Sequence, residues 1–364
     1  MLLKNAKVLC GDFVFRRGDI LIENGIIKKV IDLEPADYNG QEILELDNYA
    51  VIPGLVDVHM HGCAGVDTMD VIKNPEVIDQ MSRFLLKNGV TSFYPTSVAA
   101  AMEDIGKVFA ANTKTGGADV LGFHMEGPYI NPVRKGALNE KYIKNSDISE
   151  FLQFNNVKMV TIAPETEGAF EFIERFKDET VISLGHTTAN YDLCVQAIDA
   201  GAKCLTHTFN AMNPIHHREP GPIPAAMVKK AYGQLICDGY HIHPAVVMLA
   251  WRMFGSDRLV FISDSMEATG MADGVYNLGD YNVTVKNGKA TLDDGTLAGS
   301  SITLLECVRR AVEFGIPIEE AVKCASLTPA RMMGVDGQIG SIEVGKKAHL
   351  VICDKKFNVA RVIK

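Results

Sequence analysis

Between residues 51 and 264, short apolar runs alternate with amphipathic stretches eight times over, and this rhythm constrains the fold more than any other feature. The runs lie at 51–59, 91–98, 120–126, 158–163, 181–186, 204–207, 234–238 and 259–264. They read as parallel strands buried on both faces. The clearest helix between them covers 75–88, with Asn74 at the N-cap, Pro75 at the first helical position and Gly89 just past the end. Strand and helix repeated eight times predict an α/β chain folded as a (β/α)8 barrel, with a doubly wound sheet as the alternative.

The two chain ends break the rhythm. Runs rich in β-formers at 2–10, 12–16, 19–23 and 26–33 are separated by turn residues such as Cys10-Gly11-Asp12 and Glu23-Asn24-Gly25. Similar runs occupy 340–344, 349–353 and 358–363. Both ends are read as one small discontinuous β-sandwich domain, residues 1–52 and 344–364, set on a catalytic barrel of residues 53–343. Chain ends commonly lie close together at the surface, so such a pairing is topologically simple. A second break falls at 276–297, where apolar pairs flank Lys286-Asn287-Gly288-Lys289 and predict a β-hairpin inserted after the eighth strand. A length of 364 residues fits this plan, because such barrels commonly take ~250.

Composition narrows the function. Hydrophobic residues make up 47% and charged residues 22%, as in a globular enzyme with a large core. No run reaches ~18 consecutive apolar residues, and the first residues enter a strand pattern directly. Neither a membrane span nor a signal peptide is expected, which suggests a cytoplasmic protein. The eight cysteines form no C-x-x-C pair and read as reduced, buried thiols. A net charge of −9 argues against nucleic acid as a partner, because a binder needs a basic face. It leaves room for a small anionic substrate, for which one or two placed cations suffice.

The chemistry begins at His59-Met60-His61. Residues at i and i+2 share one side of a strand, so the two imidazoles converge on one point suited to a divalent metal. Asp57 precedes them on the same face. Four more metal-competent side chains end other strands: Glu126 the third, His186 the fifth, His207 the sixth and Asp264 the eighth. Any one of these also fits a buried structural histidine or a helix cap. Together they gather at the carboxyl ends of the strands, where barrels of this kind carry their active sites.

The motifs then become specific. His59-Met60-His61-Gly62, His124-Met125-Glu126-Gly127-Pro128, Gly185-His186-Thr187, Thr206-His207-Thr208-Phe209-Asn210-Ala211-Met212, Arg218-Glu219-Pro220-Gly221, Asp238-Gly239-Tyr240-His241, Ser263-Asp264 and Leu297-Ala298-Gly299-Ser300 follow in order along the chain. In that order the sequence resembles the N-acetylglucosamine-6-phosphate deacetylases of the amidohydrolase superfamily over essentially its whole length.

The resemblance implies a metal held by Glu126, His186 and His207, with His59 and His61 matching a second site, and so one or two ions of Zn or Fe(II) per subunit. It implies Asp264 as general acid/base, taking a proton from the attacking water and returning it to the amine leaving group. For the amino-sugar phosphate substrate it implies Arg218 and His241 at the phosphate, Asn210 and Ala211 near it, and contacts from Leu297 and Ala298. It also implies a homodimer, since the family's phosphate pocket lies near a dimer interface. Leu138 stands where many relatives place a substrate-contacting histidine, and a leucine donates no hydrogen bond; either a second metal takes over, or a nearby group such as Asn139 substitutes, or the substrate differs in detail. His124 is expected to support the ligands from behind, while His216, His217 and His243 match no role. Two other readings remain: an amidohydrolase acting on a cyclic amide, which would call for a modified lysine on the fourth strand, and a non-catalytic barrel relative.

Overall fold

The computed structural model describes all residues 1–364. Eight parallel strands form the barrel: β1 (Leu55–Met60), β2 (Val90–Ser97), β3 (Phe123–Glu126), β4 (Val157–Ile162), β5 (Val181–Leu184), β6 (Cys204–Leu205), β7 (Tyr232–Ile236) and β8 (Leu259–Ile262). Each pairs in parallel with the next in chain order. The ring closes where the Asp264 N–H donates to the His59 carbonyl at 2.9 Å. Ser263 Oγ reinforces the seam by donating to Asp57 Oδ2 at 2.6 Å, so Asp57 fastens β8 to β1. The alternation of apolar runs and amphipathic helices therefore gives a barrel and not a doubly wound sheet.

The first helix shows how the sequence sets an element. It spans Val77–Lys87 and buries Val77, Ile78, Met81 and Leu85 at helical spacing. It starts later than expected, because Asn74 Oδ1 accepts the Glu76 N–H at 3.1 Å and holds Asn74 and Pro75 in a turn. Glu76 is thus the N-cap, and Gly89, at φ +83°, ends the element as expected.

Strands from both chain ends meet in one seven-stranded sheet. Leu350–Cys353 pairs antiparallel with Ala50–Pro53, which lies parallel to the strand Leu2–Leu9. That strand changes register between Leu3 and Ala6, with Asn5 at φ +61°, and a bulge of this kind lets a sheet curl around its own core. Leu3, Val8, Ile20, Ile27, Val51, Leu350 and Ile352 belong to that core. We place the limits of this unit at residues 1–52 and 344–364.

Four expectations change in detail. The run 51–59 is two strands, because the chain passes from sheet to barrel at Gly54, where a Cβ would lie 2.2 Å from Thr91 Oγ1. The runs 12–16 and 19–23 are not two strands: 12–14 form a turn, 15–16 and 19–23 share the one strand Phe15–Glu23, and 340–344 is irregular chain between Gly340 and Gly345, both at φ +91°. After β8 the insertion carries three strands, Gly274–Leu278, Tyr281–Lys286 and Lys289–Thr291. Its second turn is Asn287-Gly288, at φ +53° and +73°, the two-residue hairpin geometry that this dipeptide favours.

Candidate active site

The carboxyl ends of five strands deliver six side chains to one buried point. His59 lies near the end of β1 and His61 just past it; Glu126 closes β3. His186, His207 and Asp264 each sit two residues beyond β5, β6 and β8, at φ of +50°, +27° and +47°. Such left-handed backbone costs a non-glycine residue about 1 kcal/mol or more, and it clusters where function requires a side chain in a fixed direction.

Glu126 is the hub. Its Oε1 stands 3.3 Å from His59 Nε2, 3.3 Å from His186 Nε2 and 3.0 Å from His207 Nε2. Its Oε2 stands 3.2 Å from His61 Nε2. Asp264 Oδ1 lies 3.4 Å from His61 Nε2 and 3.6 Å from His59 Nε2. Two sets of potential ligands result, Glu126 with His186 and His207, and Asp264 with His59 and His61, each with its donor atoms within 4.8 Å of one another.

The outer nitrogens set the tautomers. His59 Nδ1 lies 3.0 Å from Gln234 Oε1, His61 Nδ1 3.2 Å from the Thr96 carbonyl and His186 Nδ1 2.8 Å from the Arg134 carbonyl. A carbonyl oxygen only accepts, so Nδ1 carries the proton and the Nε2 lone pairs face the centre. His59 and His61 Nε2 are 3.3 Å apart. Two lone pairs so placed repel unless a cation stands between them, and tetrahedral nitrogen ligands at ~2.05 Å from Zn lie roughly 3.3 Å apart. The residues present therefore fit a divalent metal.

The electrostatics agree. Burial alone would lower the pKa of His59 and His61, but the carboxylates of Glu126 and Asp264 raise both, so the centre favours positive charge at these two rings. Burial pushes Glu126 and Asp264 up, and the histidines hold both below the ordinary carboxylate range. Burial lowers His207 and keeps it neutral, as a ligand must be. His124 is lowered further by burial and by the neighbouring His59. Its ring stands edge-on to His59 at 4.5 Å, and its nitrogens reach Thr96 and Thr161.

A cleft of about 340 Å³ opens above this centre. Asn210, Ala211, His241, Leu138 and Leu297 line it, as does Arg134. His241 is fixed by Asp238, whose Oδ2 lies 2.6 Å from its Nδ1.

The amidohydrolase family profile matches residues 50–364. The chain belongs to the amidohydrolase family. The N-acetylglucosamine-6-phosphate deacetylase of Bacillus subtilis is 37% identical to it over 379 positions, covering 100% of this chain and 95% of that protein. The N-acetylgalactosamine-6-phosphate deacetylase of Escherichia coli O157:H7 is 39% identical over 333 positions, covering 88% of each. Among solved structures, the N-acetylglucosamine-6-phosphate deacetylase from Pasteurella multocida superposes with a TM-score of 0.93 at 29% identity, over 100% of this chain and 97% of that one. A variant of the Mycobacterium smegmatis enzyme, in complex with N-acetyl-D-glucosamine-6-phosphate, gives 0.90 at 31% identity over the same shares.

In this amidohydrolase the six expected metal and acid/base residues come together, but the expected substrate contacts divide. Leu138, Asn210, Ala211, His241 and Leu297 line the cleft, whereas the Ala298 side chain is buried in the core beside it. Arg218 lies outside. It is exposed on the loop after Met212, its Nη1 2.7 Å from His217 Nε2, and it borders a separate hollow with Asn190 and Asn213. Asn139 does not stand in for the absent histidine either, since its amide donates to Asp280 and its oxygen caps the next turn. Lys158, near the start of β4, points to solvent and cannot bridge metals. His216 and His217 are exposed with their rings tilted against each other, and His243 caps the helix Pro244–Phe254.

Sequence reading missed Gln234, Thr96 and Arg134. Gln234 carried a signal, being a fully buried polar residue inside an apolar strand. Arg134 lies on an irregular segment that shows no periodicity.

Proposed function

We propose that this amidohydrolase hydrolyses N-acetyl-D-glucosamine 6-phosphate to D-glucosamine 6-phosphate and acetate. One observation carries the reading: Asp264 Oδ1 stands 3.4 Å from His61 Nε2 at the base of a cleft that reaches up to His241. Glu126, His186 and His207, with His59 and His61 beside them, would hold a divalent ion, which would supply Lewis acidity toward water and the amide carbonyl. Asp264 accepts the proton of the attacking water. It returns that proton to nitrogen as the C–N bond breaks, so that the sugar leaves as a neutral amine. His241 meets the sugar phosphate, with Asn210 and Ala211 beside it. Leu138 and the outward-turned Asn139 leave no hydrogen-bond donor from that segment for the carbonyl.

Both ligand sets are complete, which supports two ions of Zn or Fe(II) per subunit. Arg218 is exposed and stands outside the cleft of its own subunit, a placement in keeping with a homodimer in which it serves the partner's phosphate site. No helix is long and apolar enough to cross a membrane, in keeping with a cytoplasmic enzyme.

The test is acetate release from N-acetylglucosamine 6-phosphate, its galactosamine epimer, free N-acetylglucosamine and a cyclic amide such as dihydroorotate. We expect the first to give the highest kcat/KM. The galactosamine-named relative makes the C4 epimer the second reading, and preference for it would replace the first. Turnover of the cyclic amide alone would overturn both.

A further inference from the structure

We propose that Arg134 is a specificity-determining residue that holds the substrate phosphate from the same subunit as the metal ligands; this rests on the sugar-phosphate reading above. Arg134 ends the short turn Pro132–Arg134, capped by Asn131. Its carbonyl accepts from His186 Nδ1 at 2.8 Å, so its backbone is fixed against a metal ligand. Arg134 is the one lysine or arginine among the cleft's lining residues, and its guanidinium reaches Asn213 at the border with the neighbouring hollow.

The guanidinium is held but not neutralised. Nη2 donates to Asn213 Oδ1 at 2.9 Å, and Asn213 is itself oriented by its amide, which donates to the Thr188 and Ala189 carbonyls at 2.8 and 3.3 Å. Nε is buried with no acceptor. No carboxylate pairs with Arg134, because the two acids of the cleft, Glu126 and Asp264, face the histidines. The neighbouring Lys135, by contrast, is paired with Glu140 at 3.2 Å. With one neutral protein acceptor for its five N–H groups, the half-buried guanidinium keeps donors free for an anion. A phosphate offers the matching fork of acceptors.

The test uses metal-loaded Arg134→Gln and Arg134→Lys, titrated calorimetrically with glucosamine 6-phosphate, inorganic phosphate and glucosamine. Loss of a charge-assisted contact should weaken the first two roughly 10–100-fold in Arg134→Gln and leave glucosamine unchanged, with partial recovery in Arg134→Lys. KM for the phosphorylated substrate should rise with kcat and metal content little changed. Unaltered phosphate binding would overturn the proposal. So would equal weakening of phosphorylated and unphosphorylated ligands, or loss of metal together with kcat, since each marks a structural role through His186. A wild type that binds glucosamine 6-phosphate without deacetylating its N-acetyl form would overturn the proposed function alone. A wild type that binds no phosphate at all would overturn both.

Discussion

Asp264 and His241 show how burial and partners divide the work of one cleft. Asp264 remains a base although burial opposes its ionisation, because His59 and His61 face it. Asp264→Asn keeps the shape and removes the proton carrier, so kcat should fall by about 10²–10⁴ while KM changes little; a variant with near-normal kcat would remove Asp264 from the reaction. His241 carries a different dependence. Burial lowers its pKa from 6.5, the bond to Asp238 outweighs this and raises it, and Asp238 is lowered from 3.8 against its own burial. A raised histidine stabilises the fold fully below its unfolded pKa, and that stabilisation is lost as pH rises through the folded value. The depressed carboxylate acts in the opposite sense, its contribution present above its unfolded pKa and lost as pH falls through the folded value. The stability gap between wild type and His241→Asn should therefore narrow as pH rises above about 6.5, with KM for the phosphorylated sugar rising alongside. Denaturation midpoints and KM across that range check it, and a wild-type KM that stays flat would detach His241 from the phosphate.

At the level of elements, what the sequence made legible is what periodicity encodes. His59 and His61 could be paired because strands alternate, and the Asn287-Gly288 turn could be placed because few dipeptides accept positive φ at both positions. Tertiary approach is not periodic. The break between Pro53 and Gly54 inside an apolar run depends on Thr91, a residue 37 positions away whose Oγ1 would lie 2.2 Å from a Cβ at position 54. Arg134 is likewise placed by Asn213 and His186, which no local pattern connects to it. Gly54→Ala should thus overpack the junction and cost about 1–3 kcal/mol by chemical denaturation. Activity per folded molecule should be kept, because the catalytic residues lie at the opposite end of β1. Undiminished stability would mean that Thr91 gives way freely.

For the whole molecule, the ligand residues join strands that are distant in sequence. β1, β3, β5, β6 and β8 all contribute, and the closing bond from Asp264 to His59 lies within the centre itself. Metal bound only to the folded chain adds about 2.7 kcal/mol when free ion exceeds Kd ~100-fold. Chelation should therefore lower the melting temperature as well as abolish activity, with Zn or Fe(II) restoring both, and metal analysis should find two ions per subunit. Assembly is tested by mixing. If Arg218 serves the partner's cleft, a chain with Arg218→Ala and a chain with Asp264→Asn are each nearly inactive alone, yet complement each other. In a mixed dimer one site joins the intact Asp264 of the first chain to the intact Arg218 of the second, and the other site lacks both. Random exchange of equal amounts makes half the dimers mixed with one whole site each, so about a quarter of wild-type activity should return. Were Arg218 to act within its own subunit, every site in the mixture would lack one group and no activity would return.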